Sequence, residues 1–218
     1  MCPTEYYQVY MRHLPHMHPP GATFFVTCRL AGSLPRAILH ELRIEAERVA
    51  RELDDIPTEP DRARQAHMSH RRLFAQWDTK LDEAGAGPVW LEKAKVAQVI
   101  ADSLHHRDDR VYELLAYCIM PNHVHVVFKP LPDTKNNILS VTTIMQSLKG
   151  YTAFTANRLL NRRAQFWQRE SYDHWVRDEK ELLRIIRYVI SNPVKAGLTH
   201  HWQEWPWTYC KHPPLTTT

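Results

Sequence analysis

The chain has 218 residues, 44% of them hydrophobic, with 6 Gly against 15 Pro; this suffices for a sizeable core and excludes a collagenous or low-complexity fibre. No run approaches the ~18 consecutive apolar residues of a membrane span, and the first residues lack a basic stretch followed by an apolar one, so neither a membrane anchor nor a signal peptide is expected. The net charge of +4 is unevenly spread: ten Lys/Arg face five Asp/Glu between 145 and 195, against 18 and 19 elsewhere. A local basic field suits a phosphate-bearing partner, and it suits an ordinary solvated helix face equally well.

Four widely spaced cysteines form no C-x-x-C, and Cys28 and Cys118 lie in apolar, strand-like runs. Free thiols in a reducing cytoplasm are the expectation.

In chain order, residues 1–21 hold three histidines and four prolines with no period, and read as a loop or arm. Residues 22–30 are aromatic and β-branched, a strand. Ser33-Leu34-Pro35 opens a helix that runs to about 53, with Ile38, Leu42, Val49 and Leu53 at helical spacing. Residues 54–60 are a break. Residues 62–81 read as a polar helix with a short apolar stripe (Leu73, Phe74, Trp77), 83–88 as a turn, and 91–105 as a helix with Val96, Val99, Ile100 and Leu104 on one face. A second strand at 111–120, broken at Pro121-Asn122, and a third running to Lys129 should form an antiparallel hairpin. Then come a loop to 137, a helix over 138–160, a strand or extended segment at 172–177 and a helix from about 179 to 191. Asp178 and Glu181 form a capping-box pattern at the start of that helix, and Asn192-Pro193 is expected to end it. The tail from 200 is aromatic and turn-rich (Trp202, Trp205, Trp207, Tyr209).

No repeat or linker separates two cores, so residues 1–218 read as one domain. The order predicts an α+β fold: a ferredoxin-like β-α-β-β-α-β core with an antiparallel sheet and its helices packed on one side. A helical insertion, about 35–106, separates the first and second strands.

Chemistry concentrates in two stretches. In Asn122-His123-Val124-His125, alternation on a strand puts both imidazoles on one face and Val124 and Val126 on the other. Two neutral imidazoles side by side are half of a metal site, or simply a hydrogen-bonded pair. The second stretch is the helix holding Arg184, Arg187, Tyr188 and Asn192. On a wheel of ~100° per residue, Tyr188 and Asn192 fall ~40° and ~80° from Arg184, outside the apolar arc filled by Leu182, Ile185, Ile186, Val189 and Ile190. Tyr188 is thus not on the packing stripe. A phenol titrates near ~10 and is a poor nucleophile unless a metal or cations stabilise its anion. The expected site is therefore His123, His125 and Asn192 on a divalent cation, with Tyr188 aimed at a phosphorus. Arg184, Arg187, Lys149, Arg169 and His174 are candidate DNA contacts. Tyr151, a rival tyrosine, shares an arc with Ile144, Leu148 and Leu159 and reads as packing, and so do the tail tryptophans.

His-hydrophobic-His after Met-Pro-Asn, followed by Tyr188-x-x-x-Asn192-Pro-Val-Lys-Ala-Gly, resembles the HUH single-tyrosine transposases, and within them the REP-associated tyrosine transposases. Phe166-Trp167-Gln168-Arg169 with Tyr172-Asp173-His174, and Trp205-Pro206-Trp207-Thr208, are similar to further motifs of that family, in its order. The resemblance spans about 20–210. It implies a ferredoxin-like fold, a Mg²⁺ or Mn²⁺ requirement, and cleavage of single-stranded DNA through a 5′-phosphotyrosine. The implied partner is a REP-like palindromic hairpin, and a monomer or a homodimer is compatible with it. Two other readings stand beside this one. One is a domesticated hairpin-DNA-binding protein without efficient strand transfer. The other is an unrelated metal-dependent hydrolase; a histidine-triad enzyme would need a third alternate histidine where this chain has Val127.

Overall fold

The computed structural model describes residues 10–11, 15–16, 19, 21–83 and 87–214. The arm expected over 1–21 lies mostly outside them; within it, β1 (Tyr10–Met11) and β2 (Pro15–His16) pair antiparallel. The main sheet holds β3 (Thr23–Arg29), β4 (Tyr112–Ile119), β5 (His123–Pro130), β6 (Tyr172–Val176) and β7 (Thr208–Cys210), in the order β6-β3-β5-β4-β7 with every neighbour antiparallel. The first four strands have the ferredoxin-like order, and β7 extends the β4 edge. This last strand was not expected from the tail. It is three residues long, so neighbouring backbone rather than periodicity defines it.

The helices are α1 (Arg36–Asp54), α2 (Glu59–Glu83), α3 (Ala94–Arg107), α4 (Val141–Leu159) and α5 (Glu179–Lys195). They do not share one side of the sheet. Phe24, Val26, Cys28, Leu114, Val124, Val126 and Phe128 pack with α3 and α4. Phe25, Ala116, Cys118 and Val127 pack with α5 on the other face. Both faces of β3, β4 and β5 are apolar apart from a few positions, so both must be covered. The alternation on β5 leaves Val124 and Val126 under α3 and α4 and sends the two histidines toward α5.

Local chemistry sets the element ends. Ser140 Oγ accepts from the Thr143 amide, so α4 starts at Val141, three residues later than expected. Asp178 Oδ1 accepts from the Glu181 amide at 2.8 Å, while Glu181 Oε2 reaches past the cap to the Arg177 amide at 3.0 Å. At its far end α5 continues through Asn192-Pro193 to Lys195. Its stop is Gly197, at φ +69°: the Leu198 amide donates to Pro193 O (2.9 Å) and the Gly197 amide to Val194 O (3.0 Å), which satisfies the last carbonyls in a Schellman turn. Proline restrains the residue before it, but glycine alone supplies the left-handed turn that ends the hydrogen bonding.

The insertion is narrower than the 35–106 expected: α3 packs on the sheet as part of the core, and the inserted part is the helical hairpin α1–α2. α1 and α2 pack on each other through a small cluster of Leu34, Leu42 and Leu81, with Ile38, Leu39 and Trp77 beside it. α2 is longer than expected and takes in Pro60, near its N-terminus, where the missing N–H is no loss. The turn expected at 83–88 is described only from Gly87 onward; residues 84–86 lie outside the described set.

Candidate active site

His125 lies directly across from Thr27, and His123 from Arg29, on neighbouring strands β5 and β3. Antiparallel partners present their side chains on one face, and Thr27 Oγ1 accordingly sits 2.8 Å from His125 Nδ1. Asn122, in the turn between β4 and β5, donates from Nδ2 to Leu81 O at 2.9 Å, which fixes its amide orientation. Its Oδ1 then faces His123 Nδ1 at 2.6 Å and can only accept, so the His123 proton is on Nδ1 and Nε2 carries a lone pair. That lone pair points at His125 Nε2, 3.0 Å away. Both rings are essentially fully buried. Burial, with the His125 ring beside it, pushes the His123 imidazole down to about 3, so it is neutral. The Thr27 hydroxyl both donates and accepts, so it serves either tautomer of His125.

Tyr188 completes this wall within the same chain. Its ring centroid is 5.5 Å from that of His125, and Phe25 and Phe74 rings stand edge-on at 6.1 Å. Its hydroxyl is buried with no hydrogen-bond partner. Lys195 Nζ lies 4.6 Å over the ring, a cation–π contact. One turn beyond Tyr188, Asn192 is fully buried, and neither atom of its side-chain amide has a partner. An orphaned amide costs on the order of 1–3 kcal/mol, which a ligand would offset.

α2 supplies what sequence reasoning missed. Asp78 is buried, with Oδ1 3.2 Å from His125 Nε2, and the ligating atoms of Asp78, His123 and His125 all lie within 4.8 Å of one another. Burial would raise the Asp78 carboxyl; the His125 ring, with Lys195, outweighs it and holds it below the ordinary range. The set suits a divalent cation in donor type and burial: two imidazole nitrogens and a carboxylate. The one sequence signal was an aspartate set among the apolar residues Phe74, Trp77 and Leu81. Phe74 stacks on Tyr172 at 4.1 Å and roofs the site. Beside His123 opens a cleft of about 180 Å³, lined by Asp82, Glu92, Asn122 and Leu198 among others.

The remaining candidates fall elsewhere. Arg184 is exposed and pairs with Glu181 Oε1 at 3.2 Å, and Arg187 is exposed on the same helix. His174, buried on β6, has Nε2 3.3 Å from Glu181 Oε1. Burial lowers its imidazole against the pull of Glu181. Lys149 lies on α4, across the sheet from the histidines, and its ammonium donates to Gln168 O, Arg169 O and Ser171 Oγ at 2.7–3.0 Å. It ties down the segment before β6. Arg169 is exposed next to that tie. Tyr151 is 56% exposed on α4, contrary to the packing expectation, because the buried line of that helix runs through Ile144, Met145, Leu148, Thr152 and Ala156. The tail tryptophans pack as expected: Trp205 donates from Nε1 to Ile119 O at 3.0 Å, and Trp202 and Trp205 sit against the α5-side core.

Residues 91–192 match the family described as "Transposase IS200 like". A protein of Haemophilus influenzae named for the REP-associated tyrosine transposases is 32% identical over 103 residues, covering 44% of this chain and 58% of that relative. The REP-associated tyrosine transposase of Escherichia coli K12 is 24% identical over 100 residues, covering 46% and 55%. The chain thus spans little more than half the length of these relatives. A solved REP-associated tyrosine transposase bound to a REP hairpin shares the fold, with a TM-score of 0.53 over 91% of this chain and 82% of that one, at 16% identity. No helix among the described residues is long and apolar enough to cross a membrane. Residues 91–192 thus match that transposase family, and the chain is similar in fold to the solved REP-associated tyrosine transposase.

Proposed function

We propose that this protein is a metal-dependent single-stranded DNA endonuclease and strand transferase acting on palindromic hairpin DNA, with Tyr188 as nucleophile. The observation that carries this reading is the meeting of two walls in one chain: the buried His123/His125 pair, and a tyrosine 5.5 Å from it whose hydroxyl has no other partner. His123, His125 and Asn192 would hold a Mg²⁺ or Mn²⁺ ion, which supplies charge stabilisation at the non-bridging oxygens of the scissile phosphate. Tyr188 Oη loses its proton to a water molecule admitted with the substrate and attacks phosphorus. The P–O3′ bond breaks and the leaving 3′ oxygen takes a proton. The 5′ phosphate stays on Tyr188, and the opposite fragment leaves as a free 3′ hydroxyl. Lys195 lies over the ring, and Phe25 and Phe74 keep the ring edge-held and dry. Exposed Arg187 on the same helix offers the incoming strand a phosphate contact. The thiols Cys28, Cys118 and Cys210, unpaired in the fold, fit action in a reducing cytoplasm. Residues 1–218 act as one unit, and with Tyr188 facing its own histidines a monomer is sufficient.

The test is a labelled single-stranded hairpin oligonucleotide incubated with Mn²⁺ and resolved on a denaturing gel. A covalent protein–DNA band is expected from the wild type and none from Tyr188→Phe; a band that survives in the variant rules the assignment out. The burial of the Tyr188 hydroxyl also supports a second reading, a hairpin-binding protein that no longer cuts. Retarded migration on native gels without any covalent band, at every metal tested, would favour that reading.

A further inference from the structure

The two histidines and Asn192 bring no negative charge to a buried site. Seating a dication among neutral ligands only, away from water, is costly, and imidazoles by themselves favour Zn²⁺ over Mg²⁺ or Mn²⁺. Asp78 offers what is missing, a hard anionic oxygen. It comes not from the ferredoxin-like core but from the inserted hairpin. Its Oδ1 is 3.2 Å from His125 Nε2 and makes no well-formed hydrogen bond, and His125 Nε2 is 3.0 Å from His123 Nε2. Neighbouring corners of an octahedron with bonds of about 2.1 Å are about 3.0 Å apart, so both separations match adjacent ligands of one ion. The placement is not left to one flexible side chain. Four residues before Asp78, Phe74 is stacked on Tyr172; three residues after it, the Leu81 carbonyl accepts from Asn122, the same residue that orients His123.

We propose that Asp78, carried in by the α1–α2 hairpin, is a ligand of the same divalent ion as His123 and His125, so that the ion pins the hairpin over Tyr188. The inference rests on the reading of the histidine pair as a metal site. It assigns the insertion a job that the core cannot do: it supplies the charge that selects a hard cation and makes the roof of the site metal-dependent. Because the Tyr188 hydroxyl is shielded from solvent in this arrangement, DNA entry requires α2 to shift, and the metal–carboxylate bond sets how firmly it is held.

The experiment uses the full chain without DNA and Mn²⁺ as the probe. Affinity and stoichiometry are read by calorimetry and electron paramagnetic resonance, and α2 amide exchange is followed with and without the ion. Wild type should bind one Mn²⁺ and show slowed exchange across 70–83. Asp78→Asn, which keeps size and shape, should bind at least tenfold more weakly and lose the metal-dependent protection of α2; Asp78→Glu should recover part of both. Melting curves of the metal-free variants separate these effects from misfolding, and a variant that does not fold is replaced by Asp78→Ser. If Asp78→Asn binds Mn²⁺ like the wild type while His125→Ala binds none, the metal site stands and the role of Asp78 falls. If His125→Ala also binds normally, the reading of the histidine pair itself fails. Faster adduct formation by Asp78→Asn at unchanged Mn²⁺ affinity would make the carboxylate a mere plug and overturn the proposal.

Discussion

Thr27 and His125 are register partners on adjacent strands, so the hydroxyl that steadies the imidazole is dictated by strand pairing. Second-sphere groups of this kind hold the tautomer and ring angle of a ligating histidine. Thr27→Val keeps the shape and β-branching while removing the partner, and should weaken Mn²⁺ binding by about 10- to 100-fold with little change in melting temperature; calorimetry beside a thermal melt checks both halves. A second residue-scale expectation concerns pH. Burial holds the imidazoles of His174 and His123 below the ordinary histidine value. On lowering the pH, the unfolded chain takes up these protons first, at about 6.5. The stability they contribute is therefore complete above that pH and is lost as pH falls below it, down toward about 3 for His123. Melting temperatures of the metal-free protein should drop steadily from pH 7 to pH 5. His174→Gln should flatten that slope by up to one proton, and an unchanged slope would mean His174 is not held neutral.

Among the elements, α5 carries the most information. Its apolar stripe (Ile185, Ile186, Val189, Ile190) packs on the sheet, and the opposite side keeps Arg187 in solvent. Tyr188 lies between them, half-buried, with its hydroxyl turned inward. A helix presents three such zones in any ten-residue stretch, so one element serves as scaffold, carries the proposed nucleophile and presents a basic face. Where it stops matters, because Asn192 must remain helical to sit one turn beyond Tyr188. Gly197, not Pro193, ends the hydrogen bonding. A Cβ at Gly197 would meet nothing within 4 Å, so Gly197→Ala tests only the left-handed backbone. We expect a loss of about 1 kcal/mol, read as a lower melting temperature, with Mn²⁺ affinity unchanged. A neutral result would place the end of α5 elsewhere.

For the whole molecule, the charge pattern divides into two kinds of base. Lys149 spends its ammonium on backbone carbonyls across the sheet from the histidines, and Arg184 is paired with Glu181. Arg187 stays in solvent on the tyrosine helix. Only charges of the last kind release counterions on binding a strand. Arg187→Ala should therefore weaken hairpin-oligonucleotide binding and reduce the slope of log K against log salt by about 0.7–0.9, measured by fluorescence anisotropy between 50 and 200 mM salt. An unchanged slope would take the nucleic acid off this face.

How much of this was legible beforehand follows from the range of each interaction. Alternation along β5 put His123 and His125 on one face and the two valines on the other. The 3.6-residue period put Tyr188 and Asn192 on one side of the apolar stripe, but did not say that Asn192 is fully buried there and Tyr188 packs against the α5-side core. The capping residues marked the start of α5. All of these are local, set by backbone geometry within one or two turns, and the α+β order of elements followed from them. The sequence could not say which sheet face each helix covers, since a strand with two apolar faces does not name its partners. It could not find β7, which exists only because β4 offers an open edge. Nor could it bring Asp78 to His125, 47 positions away: an aspartate on a helix is ordinarily a solvated residue, and here the packing of the α1–α2 hairpin over the sheet is what buries it against two imidazoles. The sequence by itself determined the half-sites. Tertiary packing brought the two stretches together within a single chain and set a carboxylate beside the histidines.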